Sequence, residues 1–217
     1  MSPAVRKHLI IFTLLLSIGV IASVTFSSSH AITKRAGSLN MDTGLLQTGD
    51  IVFRKGISLV SRMVLAADGS SPYSHTGIVV KKGDSLFVVH SVPAESKEEK
   101  DVIKTEPLNE FLLKDRAEAA AVYRLKNALP EASKKKILQF VLYHSKNMTP
   151  FDDSFDLKDD NKLYCTEFVW KAYLQAGIDL IDSKFDNLNL PIGKGEQILP
   201  GSLLRSQYLK KILISTK

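Results

Sequence analysis

Cysteine is almost missing from this chain: its 217 residues contain one, Cys165. A single cysteine excludes an internal disulfide framework and leaves two readings, a small apolar filler or a free thiol kept for its chemistry. Internal repeats and low-complexity tracts are also missing, which excludes a solenoid and argues for one ordinary core. The acidic run Asp152, Asp153, Asp156, Asp159 and Asp160 lacks the D-x-D-x-D-G spacing and closing glutamate of a calcium loop, so it reads as a solvated loop and no metal is expected. The formal charge is +6, but the basic residues are scattered and include the Lys134-Lys135-Lys136 helix face. No nucleic-acid partner is expected from so dispersed a charge.

What is present begins with an address. Arg6 and Lys7 precede an apolar run from Leu9 to Val24, and small residues follow at Ser29-His30-Ala31. A charged start, a hydrophobic stretch and a small-residue cleavage site describe a secretory signal over residues 1–31. The alternative is an uncleaved membrane anchor, for which the run is slightly short of the roughly 20 apolar residues a span needs. Either reading places residues 32–217 in the periplasm or otherwise outside the cytoplasm, secreted or attached to the membrane. No cysteine closes the apolar run, so lipid attachment is not expected there.

Hydrophobic residues make up 44% of the chain, enough for a single domain core over 32–217. Ile51, Val52 and Phe53 read as a short strand. Ile57, Val60, Val64 and Ala67 recur at helical spacing. "HTGIVVKKGDSLFVVHSV" reads as a hairpin turning near Lys82, Gly83 and Asp84. "DVIKTE" and "AAVYRLK" are further strands with a short helix near Leu108 to Leu113 between them. Pro130 opens a helix on which Ile137, Phe140, Val141 and His144 share a face. The last clear helix opens at "YCTEFVW", buries Phe168, Val169, Ala172 and Ala176, and closes at Gly177. Strands grouped between helices predict an α+β domain with an antiparallel sheet packed on the cysteine helix.

Cys165 at a helix start has partial positive charge and unpaired N–H groups available to stabilise a thiolate. An imidazole would complete its activation by taking the thiol proton and returning it to a leaving group. His75 and His90 flank the hairpin. A Lys82-Gly83 loop sets the two directly opposite each other, and a Gly83-Asp84 loop makes them diagonal neighbours; both registers put them on one face, whereas a three-residue loop would separate them. Two adjacent imidazoles suit a base and the partner that fixes its tautomer. His144, on an apolar helix face, reads as structural.

"TGDIVF", "SHTGIVV" and "FVVHSV" resemble the strand block of NlpC/P60-type cell-wall cysteine peptidases. In those enzymes the cysteine comes first; here the histidines do. The permuted order resembles the permuted papain-fold amidases of the YiiX/YaeF group, as do "TPFDDSFDLKDDNKLYCTEFVWKAY" and "LPGSLLRSQYLKKI", over about residues 47 to 211. The resemblance implies a permuted papain-like fold with Cys165 as nucleophile, His75 as general base and His90 in the place of the third polar residue. A glutamate is expected at that place in the YiiX/YaeF group, and Glu95 is the weaker candidate for it here. The backbone N–H of Cys165 is a candidate oxyanion donor. Tyr73 and Tyr164 adjoin the catalytic positions as candidate substrate contacts, and Glu167 is either a helix cap or a substrate contact.

The expected activity is an extracytoplasmic cysteine hydrolase that cleaves an amide through an acyl-enzyme and requires no cofactor. Its partner would be an amide-containing substrate, a peptidoglycan peptide or a lipid-linked amide. An acyltransferase acting on lipids would use the same residues, as the permuted lecithin:retinol acyltransferase-like proteins do, with membrane association through the N-terminal segment. The third alternative is a binding module in which Cys165 only packs.

Overall fold

Alternation at a period of two builds the sheet. On strand β1 (Ile51–Gly56) and strand β2 (His75–Lys82), Ile51, Phe53, Ile78 and Val80 face one side, while Val52 and Val79 face the other. Strands β3 (Ser85–Val92), β4 (Val102–Pro107) and β5 (Ala117–Leu125) repeat the pattern: Val89, Ile103 and Ala121 oppose Val88, Ala120 and Val122. With β8 (Leu209–Ile214) they form a six-stranded sheet, ordered β4-β3-β2-β1-β5-β8, in which every neighbouring pair is antiparallel. Strands β6 (Asp186–Leu190) and β7 (Gly193–Gln197) make a separate hairpin. This computed structural model describes residues 37–94, 100–190 and 193–215. The leader expected over 1–31 and the candidate Glu95 lie outside the described residues.

Helices α3 (Glu131–Lys146) and α4 (Cys165–Leu174) cover the first face, burying Ile137, Val141, Phe168, Val169, Ala172 and Tyr173 against it. The second face is covered by the short helix α2 (Leu108–Phe111) and by Leu39 and Leu46 from the start of the described chain. The sheet is therefore buried on both faces, not only against the cysteine helix. Each fully buried Ile, Phe or Val on it contributes about 1.5–3 kcal/mol. Helix α1 (Leu59–Asp68) buries no residue and flanks the sheet; α5 (Pro200–Leu204) is nearly all buried. Among the described residues no helix is long and apolar enough to cross a membrane.

Three details differ from the sequence reading. The first strand continues beyond Phe53 to Gly56. Helix α4 ends at Leu174, and the chain then turns through Gly177, whose φ of +76° suits glycine. Asp152 is not solvated but wholly buried: one carboxylate oxygen accepts from the Ser154 N–H (3.0 Å) and hydroxyl (2.5 Å), the other from the Asp156 N–H (2.6 Å). A short acidic side chain that caps its own turn is a loop organiser.

Candidate active site

The hairpin register decides how the histidines meet. Lys82 pairs with Ser85, so Gly83 and Asp84 form the loop, with φ +58° at Gly83. In that register His75 and His90 are diagonal neighbours on one face. His75 Nε2 lies 2.7 Å from His90 Nδ1, with the rings edge to face at a centroid separation of 5.0 Å. Gly77 creates room for the pair, since a Cβ there would lie 2.8 Å from the His90 Cβ and 2.9 Å from the Val89 carbonyl. Both rings also pack against Phe111 of α2, at 5.8 and 5.1 Å.

Two further charged residues on this face had no sequence signal. Glu106 on β4 is buried, with Oε1 3.0 Å from His90 Nε2 and Oε2 3.2 Å from Arg116 and 3.4 Å from Lys104. The His90 contact lies off the ring N–H axis, yet a carboxylate at this distance still draws the His90 proton to Nε2. His90 Nδ1 is then an acceptor, His75 carries its proton on Nε2, and His75 Nδ1 is left as a free base. The negative charge that a histidine in third place lacks is thus supplied one strand further out. Arg54, the direct partner of His75 on β1, is the second: it donates to the Phe111 carbonyl (3.0 Å), lies 4.5 Å over the Phe111 ring and is only 3% exposed.

Cys165 is the first residue of α4, and the start of that helix is tightly held. Ser91 on β3 donates to the Leu163 carbonyl. Thr166 donates to the Ile198 carbonyl (2.5 Å), and the Ile198 N–H donates to the Tyr164 hydroxyl (2.9 Å). Cys165 and His75 line one cleft of about 600 Å³ together with Arg54. Its remaining wall is mostly apolar, with Ile57, Val60, Val64, Val92, Pro93 and Phe155.

Burial dominates the protonation states. It pushes the thiol from an ordinary value of about 9 up to about 11, against the opposing pull of the Thr76, Thr166 and Cys165 backbone N–H groups and the Arg54 charge. Cys165 nevertheless keeps an intermediate exposure through the cleft. Burial, reinforced by Arg54, His90 and Lys104, holds His75 well below the usual histidine range. Near neutral pH the thiol and the imidazole thus both rest neutral, so attack requires proton transfer from the thiol. The same N–H groups that oppose the thiol's rise are oriented to stabilise developing negative charge.

The other candidates have supporting positions. Tyr73, Tyr164 and Glu167 are 5%, 2% and 0% exposed and none lines the cleft, which corrects their assignment as substrate contacts. Tyr73 packs on Phe53 at 6.1 Å. Tyr164 anchors Ile198, as described. Glu167 accepts from the Tyr164 N–H (3.2 Å) and pairs with Lys171 (2.8 Å), the capping alternative. Residues adjacent in sequence to a reactive side chain point elsewhere on a strand or helix. His144 has the structural position expected, 4.3 Å from the Phe140 ring centroid and 2.8 Å from the Thr149 hydroxyl.

A cysteine at a helix start sharing one cleft with a histidine that a second imidazole backs, on an antiparallel sheet, is a papain-like arrangement, here with the histidines ahead of the cysteine in the chain. Comparison with known proteins gives the same class. The chain belongs to the permuted papain-like amidase, YaeF/YiiX, C92 family, whose model matches residues 45–213. It is 30% identical over 130 residues to the uncharacterized protein YiiX of Escherichia coli K12, a match covering 60% of this chain and 58% of that protein. The chain thus spans less than three fifths of that curated relative. It also resembles the crystal structure of the metalloprotein yiiX from Escherichia coli O157:H7, with a TM-score of 0.61 at 24% identity, covering 76% of this chain and 96% of the other. That likeness shows the fold. Among the described residues no group of three or more His, Cys, Asp and Glu side chains is arranged to hold a metal ion.

Proposed function

We propose that this protein is an extracytoplasmic thiol hydrolase of amide bonds. The observation that carries the reading is that His75, hydrogen-bonded to the buried His90, lines the cleft that also holds the sole cysteine. Cys165 Sγ bonds to the amide carbonyl carbon while its proton passes to His75 Nδ1. The C–N bond then breaks, and the same proton leaves with the amine. Water, deprotonated by His75, attacks the thioester and releases the acid and the free thiol. His90 and Glu106 hold the tautomer that this sequence requires.

Peptidoglycan peptides are the first substrates to try, given the expected export. The apolar cleft wall favours a second reading, a lipid-linked acyl group passed to an amine or hydroxyl instead of water. Purified protein should be incubated with peptidoglycan fragments, and separately with phospholipid plus an amine acceptor, and the products identified by mass. Cys165→Ala should abolish turnover and keep the wild-type circular dichroism. Turnover that survives this substitution would end the thiol mechanism, and no turnover by the wild type on either substrate would leave the binding-module reading.

A further inference from the structure

A second cavity, of about 570 Å³, lies at the opposite ends of the elements that form the active site. Asp50, immediately before strand β1, lines it, and β1 then runs away toward Arg54; α4 reaches it at Tyr173, the far end from Cys165. Its floor is apolar, formed by Ile78, Leu125, Leu129, Ile137, Leu138 and Val141. Leu125, Leu129 and Leu138 are only partly buried, so they leave apolar surface open in the cavity.

Its rim is cationic. Arg124, Lys126, Lys134, Lys135 and Lys210 line it against two carboxylates, Asp50 and Glu131, an excess of three positive charges. Both carboxylates are already engaged: Asp50 is gripped by Arg124 at 2.6 and 2.8 Å, and Glu131 pairs with Lys134 at 2.6 Å. Among the described residues Lys126, Lys135 and Lys210 have no acidic partner within ion-pair distance. Lys135 also sits near the N-terminal end of α3, where the helix dipole disfavours cations, so helix stability does not explain it. Along α3 the cavity runs from lysines at one end to Ile137, Leu138 and Val141 at the other.

We propose that this cavity is a binding site for a single-chain carboxylate amphiphile, its acyl chain on the leucine floor and its carboxylate among the free lysines. The volume is in the ordinary range for small-molecule pockets, roughly 300–1,000 Å³. The excess positive charge selects against a cationic or neutral head, and the apolar floor selects against a polar anion such as a sugar phosphate. The site is independent of the reaction proposed above.

The test is calorimetric titration of the full chain with laurate, dodecyltrimethylammonium and dodecanol, each below its micelle concentration. Laurate should bind with one-to-one stoichiometry, at least about tenfold tighter than the cation. Lys135→Glu with Lys210→Glu should weaken laurate by about tenfold, since both side chains are exposed and their reversal leaves the core intact. Leu138→Trp should weaken all three ligands by filling the floor. Saturating laurate should leave the alkylation rate of Cys165 unchanged. Equal affinity for laurate and the cation, indifference to the double reversal, or laurate protection of Cys165 from alkylation would each overturn the proposal.

Discussion

Replacing Glu106 with glutamine removes the negative charge at the end of the line that runs from His75 through His90. The carboxylate is 3.0 Å from His90 Nε2, and the ring centroids are 5.0 Å apart, so it lies within about 9 Å of the His75 ring. When His75 accepts the thiol proton it becomes an imidazolium, and at an effective dielectric of about 20 a charge at that distance stabilises it by about 2 kcal/mol. Loss of that interaction alone should slow acylation roughly twentyfold. Glutamine can also donate to His90 Nε2, which would reverse both tautomers and turn the base nitrogen of His75 into a donor; the slowing then exceeds the electrostatic figure. The assay is the burst of nitrophenolate from a p-nitrophenyl ester as Cys165 is acylated, followed across pH. The acid limb governed by His75 should move to lower pH in Glu106→Gln, because the imidazolium loses its stabilising charge, and Glu106→Asp should recover part of the rate. A purely structural role would lower burst amplitude through unfolding and leave the profile in place. A burst rate within twofold of wild type, with an unmoved profile, would refute the role assigned to Glu106.

Alkylation of Cys165 by iodoacetamide should be slow near neutral pH and climb toward about pH 11 instead of reaching a plateau near neutrality, because burial raises the thiol; mass spectrometry of the adduct at several pH values reads this directly. Glu167 is raised by burial to about 7 from 4.5, so the folded state binds its proton more tightly than the unfolded chain does. That contribution is complete below about pH 4.5, disappears as pH rises through about 7, and amounts to at most about 3 kcal/mol. Urea unfolding at about pH 5 and pH 8.5 should therefore show Glu167→Gln gaining on wild type at the higher pH. Gly77→Ala would place a methyl 2.6 Å from a Val88 carbon and 2.9 Å from the Val89 carbonyl; it should cost roughly 1–3 kcal/mol in urea unfolding and slow the acylation burst by displacing His90.

The sheet and the histidine pair were legible because both follow from parity. Once "HTGIVV" and "FVVHSV" are strands joined by a two-residue loop, His75 and His90 have no choice of face. Glu106 and Arg54 were not legible because their positions depend on neighbours across the sheet. His90 pairs with Lys104, which puts Glu106 diagonally beside it, but the segment between β3 and β4 is too long for its sequence to fix that register. Arg54 follows three apolar residues and reads as the polar end of a strand, although the strand continues and Phe111 covers it. For Asp152 the composition of the surrounding run concealed one side chain that turns inward.

The Ile198 backbone holds both Tyr164 and Thr166, the two residues on either side of the thiol. That clasp comes from a segment made after both histidines, the glutamate and the cysteine itself. A chain leaving the ribosome therefore carries every reactive group before the last of the contacts that hold the start of the cysteine helix has been made.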